Sequence, residues 1–269
     1  MIRLDDIDVT FPKPGDANEQ VHALADLDLE IADREFVCLL GPSGCGKSTA
    51  LNLIAGFTSP TSGAVTVDGA AVTAPGPDRG VVFQEATIFP WLSVRENVAF
   101  GPKLGRGADR SGLHERVDEL LERVGLAGFG DHLPSELSGG MRQRVGLARV
   151  LINDPPTLLM DEPFGALDAQ TRITMQELLL ELWERNRKTV LFVTHDIDEA
   201  LILGDRVIVM TARPGSIRSI IDVDLPRPRS YDMITDPEYV ALRQRLFEEL
   251  RQEAQRADEL MGVTHGGER

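Results

Sequence analysis

Residues 41 to 48 read Gly-Pro-Ser-Gly-Cys-Gly-Lys-Ser, a full match to the pattern GxxxxGK[ST]. Those residue types at that spacing suit the capture of phosphate groups. Glycines let successive backbone N–H groups turn inward as an anion nest, and a helix opening directly behind them adds its positive end. Lys47 can reach β- and γ-phosphates, and the Ser48 hydroxyl can ligate Mg²⁺. A glycine-rich turn with an incidental lysine is the bland alternative. The context argues against it, because an apolar run from Glu35 to Leu40 precedes the loop and a helical pattern from Lys47 to Phe57 follows.

Two further groups could serve the same chemistry. Leu158-Leu-Met-Asp161-Glu162 is an apolar strand ending in two acids, and side chains at the carboxyl ends of parallel strands face the crevice where α/β sheets bind ligands. There Asp161 would hold Mg²⁺ through water, and Glu162 would accept a proton from an attacking water. On its own such a pair is more often a solvated turn; the phosphate loop shifts that balance. Leu137-Ser138-Gly139-Gly140 precedes a strong helical pattern. Ser138 either caps that helix and does nothing more, or shares the free N–H groups of the helix start with a second anion site.

A parallel sheet is what brings such loops to one edge. Continuous apolar runs at 35–40, 157–160 and 189–193 suit strands buried on both faces, and 35–57 reads as a β-loop-α unit. Arg3 to Phe11, Leu27 to Ile31, Gly63 to Val72, Gly80 to Phe83 and Arg206 to Met210 also read as strands. Leu113, Val117, Leu120, Leu121 and Val124 share one helical face, as do Met141, Val145, Ala148 and Ile152, so a helical insertion is expected after about Leu92. The Gly- and Arg-rich segment 101 to 112 and Pro155-Pro156 bound it. A helix is expected from Leu167 to Arg187, loops at 213–215 and 226–229, and a last amphipathic helix carrying Tyr239, Leu242, Leu246 and Leu250. Gly262 to Arg269 are expected to fray.

A chain of 269 residues can hold one large α/β domain with an added subdomain, or two small domains. Its 28 basic against 43 acidic residues give a net charge of -15, which opposes attraction to DNA or RNA. Cys38 and Cys45 offer no disulfide framework or metal-ligand spacing and fit a reducing compartment. The start, MIRLDDIDVTF, lacks the basic and apolar regions of a secretion signal. No window approaches the roughly 18 uninterrupted apolar residues that span a bilayer, so action at a membrane would require a partner.

Taken in order, the phosphate loop, the LSGG element, the LLMDE strand end, Ala166-Leu167-Asp168 and Thr194-His195-Asp196 resemble the ATP-binding-cassette family. The resemblance runs from Ile2 to about Arg229. It implies a P-loop NTPase parallel-sheet core with an N-terminal antiparallel β region and an inserted α-helical subdomain at about 92–153. On that reading residues 1–229 are the nucleotide-binding domain and 230–269 a C-terminal helical tail. ATP and Mg²⁺ are the implied cofactors, with Gly41, Pro42, Ser43, Gly44, Cys45, Gly46, Lys47, Ser48 and Thr49 around the phosphates. Ser138, Gly139 and Gly140 would make the second phosphate contact, and Ser48, Gln84 and Asp161 would surround the metal.

The same resemblance implies that Glu162, His195 and Gln84 are catalytic. His195 resembles a switch histidine at the γ-phosphate, although by itself it would pass for a hydrogen-bonded strand-end histidine. Gln84 resembles a glutamine that senses Mg²⁺ and the attacking water, although a lone glutamine after a strand would be solvated. Phe11 resembles an aromatic that stacks on adenine; a core strand aromatic is the alternative. Asp168 resembles a residue that communicates between facing subunits, or is a helix-start acid favoured by the macrodipole. Met141 stands where many members carry Gln.

Ile88-Phe-Pro-Trp91-Leu-Ser-Val-Arg-Glu-Asn97-Val, His195-Asp-Ile-Asp-Glu-Ala200 and Met210-Thr-Ala-Arg-Pro-Gly215 are similar to the importer ATPases that serve nitrate, taurine and alkanesulfonate uptake. That implies a peripheral subunit on the cytoplasmic face of the membrane, paired with a second copy of itself and with transmembrane permease subunits. An extracytoplasmic solute-binding protein would be an indirect partner. Phe89, Pro90 and Trp91 would dock the permease, or form a small local core. A soluble cassette ATPase acting on nucleic acid or ribosomes is the rival reading. The acidic charge and the lack of a coiled-coil insertion, zinc cysteines or a tandem cassette oppose it. A nucleotide sensor with weak turnover is opposed by the presence of Glu162.

Overall fold

The computed structural model describes residues 1–13, 15–104 and 111–260. Gly262 to Arg269 and much of the Gly- and Arg-rich stretch fall outside them. The chain begins with β1 (Ile2–Lys13), β2 (Asp16–Ile31), β3 (Phe36–Leu40), α1 (Lys47–Ala55), β4 (Ser62–Val67) and β5 (Ala70–Ala71). Then come β6 (Arg79–Val82), α2 (Val94–Leu104), α3 (Leu113–Arg123), α4 (Gly139–Leu151), β7 (Thr157–Asp161) and α5 (Ala169–Arg185). It closes with β8 (Thr189–Thr194), α6 (Ile197–Leu203), β9 (Arg206–Met210), β10 (Ile217–Asp222) and α7 (Pro237–Leu260).

Two compact units result, Met1–Gly76 with Thr189–Arg269, and Pro77–Lys188. In the first, β3 lies parallel to both β8 and β9, and β10 closes antiparallel on β9. Every residue of β3 and β8 is buried, which is why their sequences run apolar without alternation. β1 pairs antiparallel with β2 and β4, and β5 extends β4. Ile2, Leu4, Ile7 and Val9 of β1 face inward.

Helix α7 belongs to this first unit by its packing. Tyr239, Leu246 and Glu253 are buried at a spacing of seven, which puts them on one stripe of the helix; Leu242 and Leu250 are half-buried. The Tyr239 hydroxyl and the Arg243 guanidinium both donate to Asp198 at the start of α6, at 2.9 and 2.8 Å. Just before α7, the buried Arg229 guanidinium donates to the carbonyls of Leu201, Gly204, Val223 and Leu225. Burial pushes its pKa down to about 10.

The second unit carries a parallel pair, β6 against β7, from Arg79 opposite Thr157 to Val82 opposite Met160. Its helices bury Val94 and Val98 of α2, Val117 and Leu121 of α3, and Val145 and Ala148 of α4, as the periodicity of α3 and α4 requires. α5 starts at Ala169 rather than Leu167, because the Asp168 carboxylate caps it by accepting from the Thr171 N–H at 3.0 Å.

Candidate functional site

The first unit holds the phosphate loop between β3 and α1. Lys47 is only 7% exposed, and its ammonium donates to the carbonyls of Gly41 and Pro42 at 2.8 and 2.9 Å. Gly46 stands at the N-cap of α1 with a φ of 102°, in the left-handed region, and no side chain caps the helix. Its first N–H groups are therefore aimed outward without a competing side-chain acceptor, and no acid stands in the first turn. A Cβ on Gly46 would come 2.6 Å from Leu24 Cδ2 and 3.0 Å from the Ala23 carbonyl, so glycine is required by fit as well as by φ. Ser43, Gly44 and Ser48 are exposed, and Pro42 and Thr49 half-exposed. The Cys45 side chain is buried and its thiol pKa pushed up by burial, so this residue can contribute only backbone to an anion.

His195 follows β8 in the same unit and is exposed. The turn behind it is built from charge: Thr194 Oγ1 donates to the buried Glu199 carboxylate at 2.5 Å and accepts from the Asp196 N–H at 3.0 Å. Asp196 then caps α6 by accepting from the Asp198 and Glu199 N–H groups. Phe11 sits on β1 opposite Val21 and is 39% exposed. It is a surface aromatic, not a core one.

The second unit brings Gln84 and Glu162 together. The Gln84 amide donates to Glu162 Oε2 at 3.3 Å, and Asp161 ends β7 directly before it. Glu162 has φ +43°, a conformation that costs a non-glycine residue about 1–3 kcal/mol and collects at functional sites. Gln143 of α4, itself buried, donates to the Phe83 carbonyl at 3.1 Å and so fixes the backbone that delivers Gln84.

Ser138 caps α4, its Oγ accepting from the Met141 N–H at 3.2 Å. Within one chain it is thus a helix cap; Ser138 and Gly139 are also exposed, and Gly140 is half-buried against Leu167. Asp168 is likewise a cap, and its bonds from Thr171 hold its carboxyl below the usual range.

A family profile described as ABC transporter matches residues 24–165. The chain belongs to the ABC transporter family. It is 49% identical over 216 residues to the taurine import ATP-binding protein TauB of Roseobacter denitrificans, covering 80% of each. To the bicarbonate transport ATP-binding protein CmpC of Synechococcus elongatus it is 48% identical over 255 residues, 94% of this chain and 38% of that one. A solved dimeric ATP-binding cassette, MJ0796 in a post-hydrolysis state bound to ADP and Pi, overlays 84% of this chain and all of its own with a TM-score of 0.75 and 35% identity. The expected mixed α/β fold, with a parallel sheet and an antiparallel β region, is borne out.

Two polar residues of this cassette escaped the sequence reading, and both are buried. Gln143 is one. Asn97 is the other: its Oδ1 accepts from the Phe89 N–H at 2.8 Å, and its Nδ2 donates to the carbonyls of Phe89, Leu92 and Ser93 at 2.9–3.0 Å. That clamp holds the 89–93 turn rigid while leaving Trp91 72% exposed. Phe89 packs on Phe100, at 4.4 Å between ring centroids, with the Arg149 guanidinium 4.5 Å over its ring and the Trp91 ring 5.5 Å away. The local-core role therefore falls to Phe89, and Trp91 is displayed. In the same unit a groove of about 800 Å³ is lined by Phe83, Phe100, Pro102 and Leu104 together with Arg79 and Arg116.

This display has a direct optical test. Trp183, 1% exposed, is the other indole of the chain. In a Trp183→Phe background, Trp91 emission should be water-like and freely quenched by acrylamide. Blue-shifted, shielded emission would place Trp91 in a core.

Proposed function

We propose that the chain is the ATP-hydrolysing subunit of an importer for a small anionic or organic solute, of the taurine, nitrate or sulfonate kind, working through a separate membrane permease. The observation that carries the hydrolytic reading is Glu162, held at a strained φ beside Asp161 with the Gln84 amide on its carboxylate. The loop fits a polyphosphate: the α1 start is uncapped, Gly46 lets the loop pack on Leu24 and Ala23 in its left-handed turn, and the Lys47 ammonium is held beside the loop carbonyls. Backbone N–H groups of 43–49 and Lys47 would bind and orient the β- and γ-phosphates. Ser48 and Asp161 are oxygen donors suited to Mg²⁺, which neutralises charge on the transferred phosphoryl group. Glu162 would take the proton of the attacking water, Gln84 would orient that water, and His195 would meet the γ-phosphate. Phe11, exposed on β1, is free to stack on adenine.

Two copies would share their sites, with the α4 start at Ser138, Gly139 and Gly140 of one copy meeting the phosphates held by the other. The dimeric cassette among the solved relatives supports this reading. The import reading rests on the names of the taurine and bicarbonate relatives. No helix among the described residues is long and apolar enough to cross a membrane. On the import reading a permease would hold this subunit at the cytoplasmic face, and Trp91 with the adjoining turn is the surface we assign to it. Among such systems, the solute would be chosen by the permease and an extracytoplasmic binding protein.

Glu162→Gln keeps shape and hydrogen bonding but removes the base. ATP should still bind while turnover falls by ~10²–10⁴, read by nucleotide binding and phosphate release on the same preparation; unchanged turnover excludes Glu162 as the base.

Trp91→Glu would bury an unpaired carboxylate in an apolar contact. Co-purification of the permease and solute uptake should both be lost, with ATP binding of the isolated subunit unaltered. Retained co-purification would move the docking surface elsewhere.

A further inference from the structure

The turn after β9, Thr211-Ala-Arg-Pro-Gly215-Ser216, is pressed onto the phosphate loop. Gly215 exchanges backbone bonds with β2, its N–H donating to the Ala23 carbonyl at 2.9 Å and its carbonyl accepting from the Ala25 N–H at 3.0 Å. A Cβ at Gly215 would overlap the Cys45 carbonyl. At the other end, a Cβ on Gly41 would meet Met210 Cβ at 3.2 Å. Between these contacts Arg213, exposed to solvent, donates from Nε to the Gly44 carbonyl at 3.3 Å. Accepting at that carbonyl holds the Gly44 peptide in one orientation, and the direction of neighbouring N–H groups is what makes a nest bind anions.

The turn is fixed from behind by α7. The Ala212 N–H donates to Glu253 Oε2 at 2.8 Å, and Glu253 is 1% exposed. Its carboxylate also pairs with Arg218 and Arg256, and Arg218 reaches Glu249 and Gln252 of the same helix. Thr211 closes the turn internally, donating to the Pro214 carbonyl and accepting from the Ser216 N–H. A buried carboxylate with cationic and N–H partners gains little net stability but dictates geometry, because any other arrangement leaves a charge unpaired.

We propose that Arg213 and Glu253 are positioning residues of the nucleotide site: Glu253 on α7 sets the 211–216 turn, and Arg213 on that turn sets the phosphate loop. The C-terminal helix thereby tunes affinity for the triphosphate without touching it. The inference rests on the ATP-binding reading of the loop.

The experiment is a double-mutant cycle on the full chain, read by equilibrium binding of a fluorescent trinitrophenyl-ATP and by KM and kcat for ATP. Arg213→Ala and Glu253→Ala should each raise Kd about tenfold, the loss of roughly one charged hydrogen bond. Because both act on one route, the double variant should stay near tenfold rather than multiply toward a hundredfold. KM should rise with kcat nearly unchanged, and Arg213→Lys and Glu253→Gln, which keep a donor and an acceptor, should restore most affinity. A merely structural role would lower melting temperature in Glu253→Ala with no coupling to Arg213. Arg213 lies at the surface, so its variant folds even where Glu253→Ala does not; Arg213→Ala with unchanged Kd, or multiplicative effects in the cycle, overturns the proposal. Wild type and Lys47→Ala run in the same assay keep the two ideas apart: a wild type that binds no nucleotide would defeat the ATP reading instead.

Discussion

A helix start without a side-chain cap is the constraint around which the first unit is built. A serine or aspartate side chain would satisfy one of the N–H groups that open α1, worth on the order of a few tenths of a kcal/mol over glycine, yet Gly46 stands there, with φ 102° and no side chain. The N–H groups left over are the binding device, and the surrounding structure compensates for leaving them. β3 buries all five of its residues to anchor the loop's entry, Leu24 and Ala23 close on Gly46, and Gly215 closes on Cys45. Lys47 neutralises the carbonyls that the loop turns the other way, at Gly41 and Pro42. Gly46 and Gly215 are small because neighbours occupy the space where a side chain would go, Leu24 and Ala23 for the first and the Cys45 carbonyl for the second.

The second unit works by the same economy of backbone and buried polar groups. Its acids stand at the end of β7, one of them on a left-handed residue, and Gln143 holds the segment that presents Gln84. Asn97 holds the turn that displays Trp91. Near these positions the apolar faces of α2 to α4 supply the packing, and the buried polar clamps set orientation.

Much of this was readable in the residues. β3, β7 and β8 declare themselves because strands buried on both faces must be continuously apolar, and the phosphate loop declares itself because its spacing is dictated by backbone geometry. β10 was not readable: Ile217–Asp222 is an antiparallel strand with Arg218 and Ser219 in its middle, both turned to α7 carboxylates. α6 spans seven residues, too few to show a period, and β2 begins at Asp16, eleven residues before the Leu27–Ile31 run. Arg213 acts on Gly44 from 169 positions away, and the φ of Glu162 leaves no mark on composition. Contacts between distant segments and single strained dihedrals are the parts of a site that a lone sequence does not encode locally.

If hydrolysis is performed by two copies that share their sites, lesions in the phosphate loop and in the Ser138 helix start must complement each other between chains. Lys47→Ala and Ser138→Arg chains, each also carrying Glu162→Gln to trap bound nucleotide, can be assayed alone and mixed for occluded ATP. Either chain alone carries a damaged element in both sites, whereas a head-to-tail heterodimer collects both lesions in one site and leaves the other intact, as symmetry requires. The mixture should therefore occlude about one ATP per heterodimer while neither parent occludes any. Heterodimers that form and occlude nothing would reduce Ser138 to a helix cap and contradict a shared site.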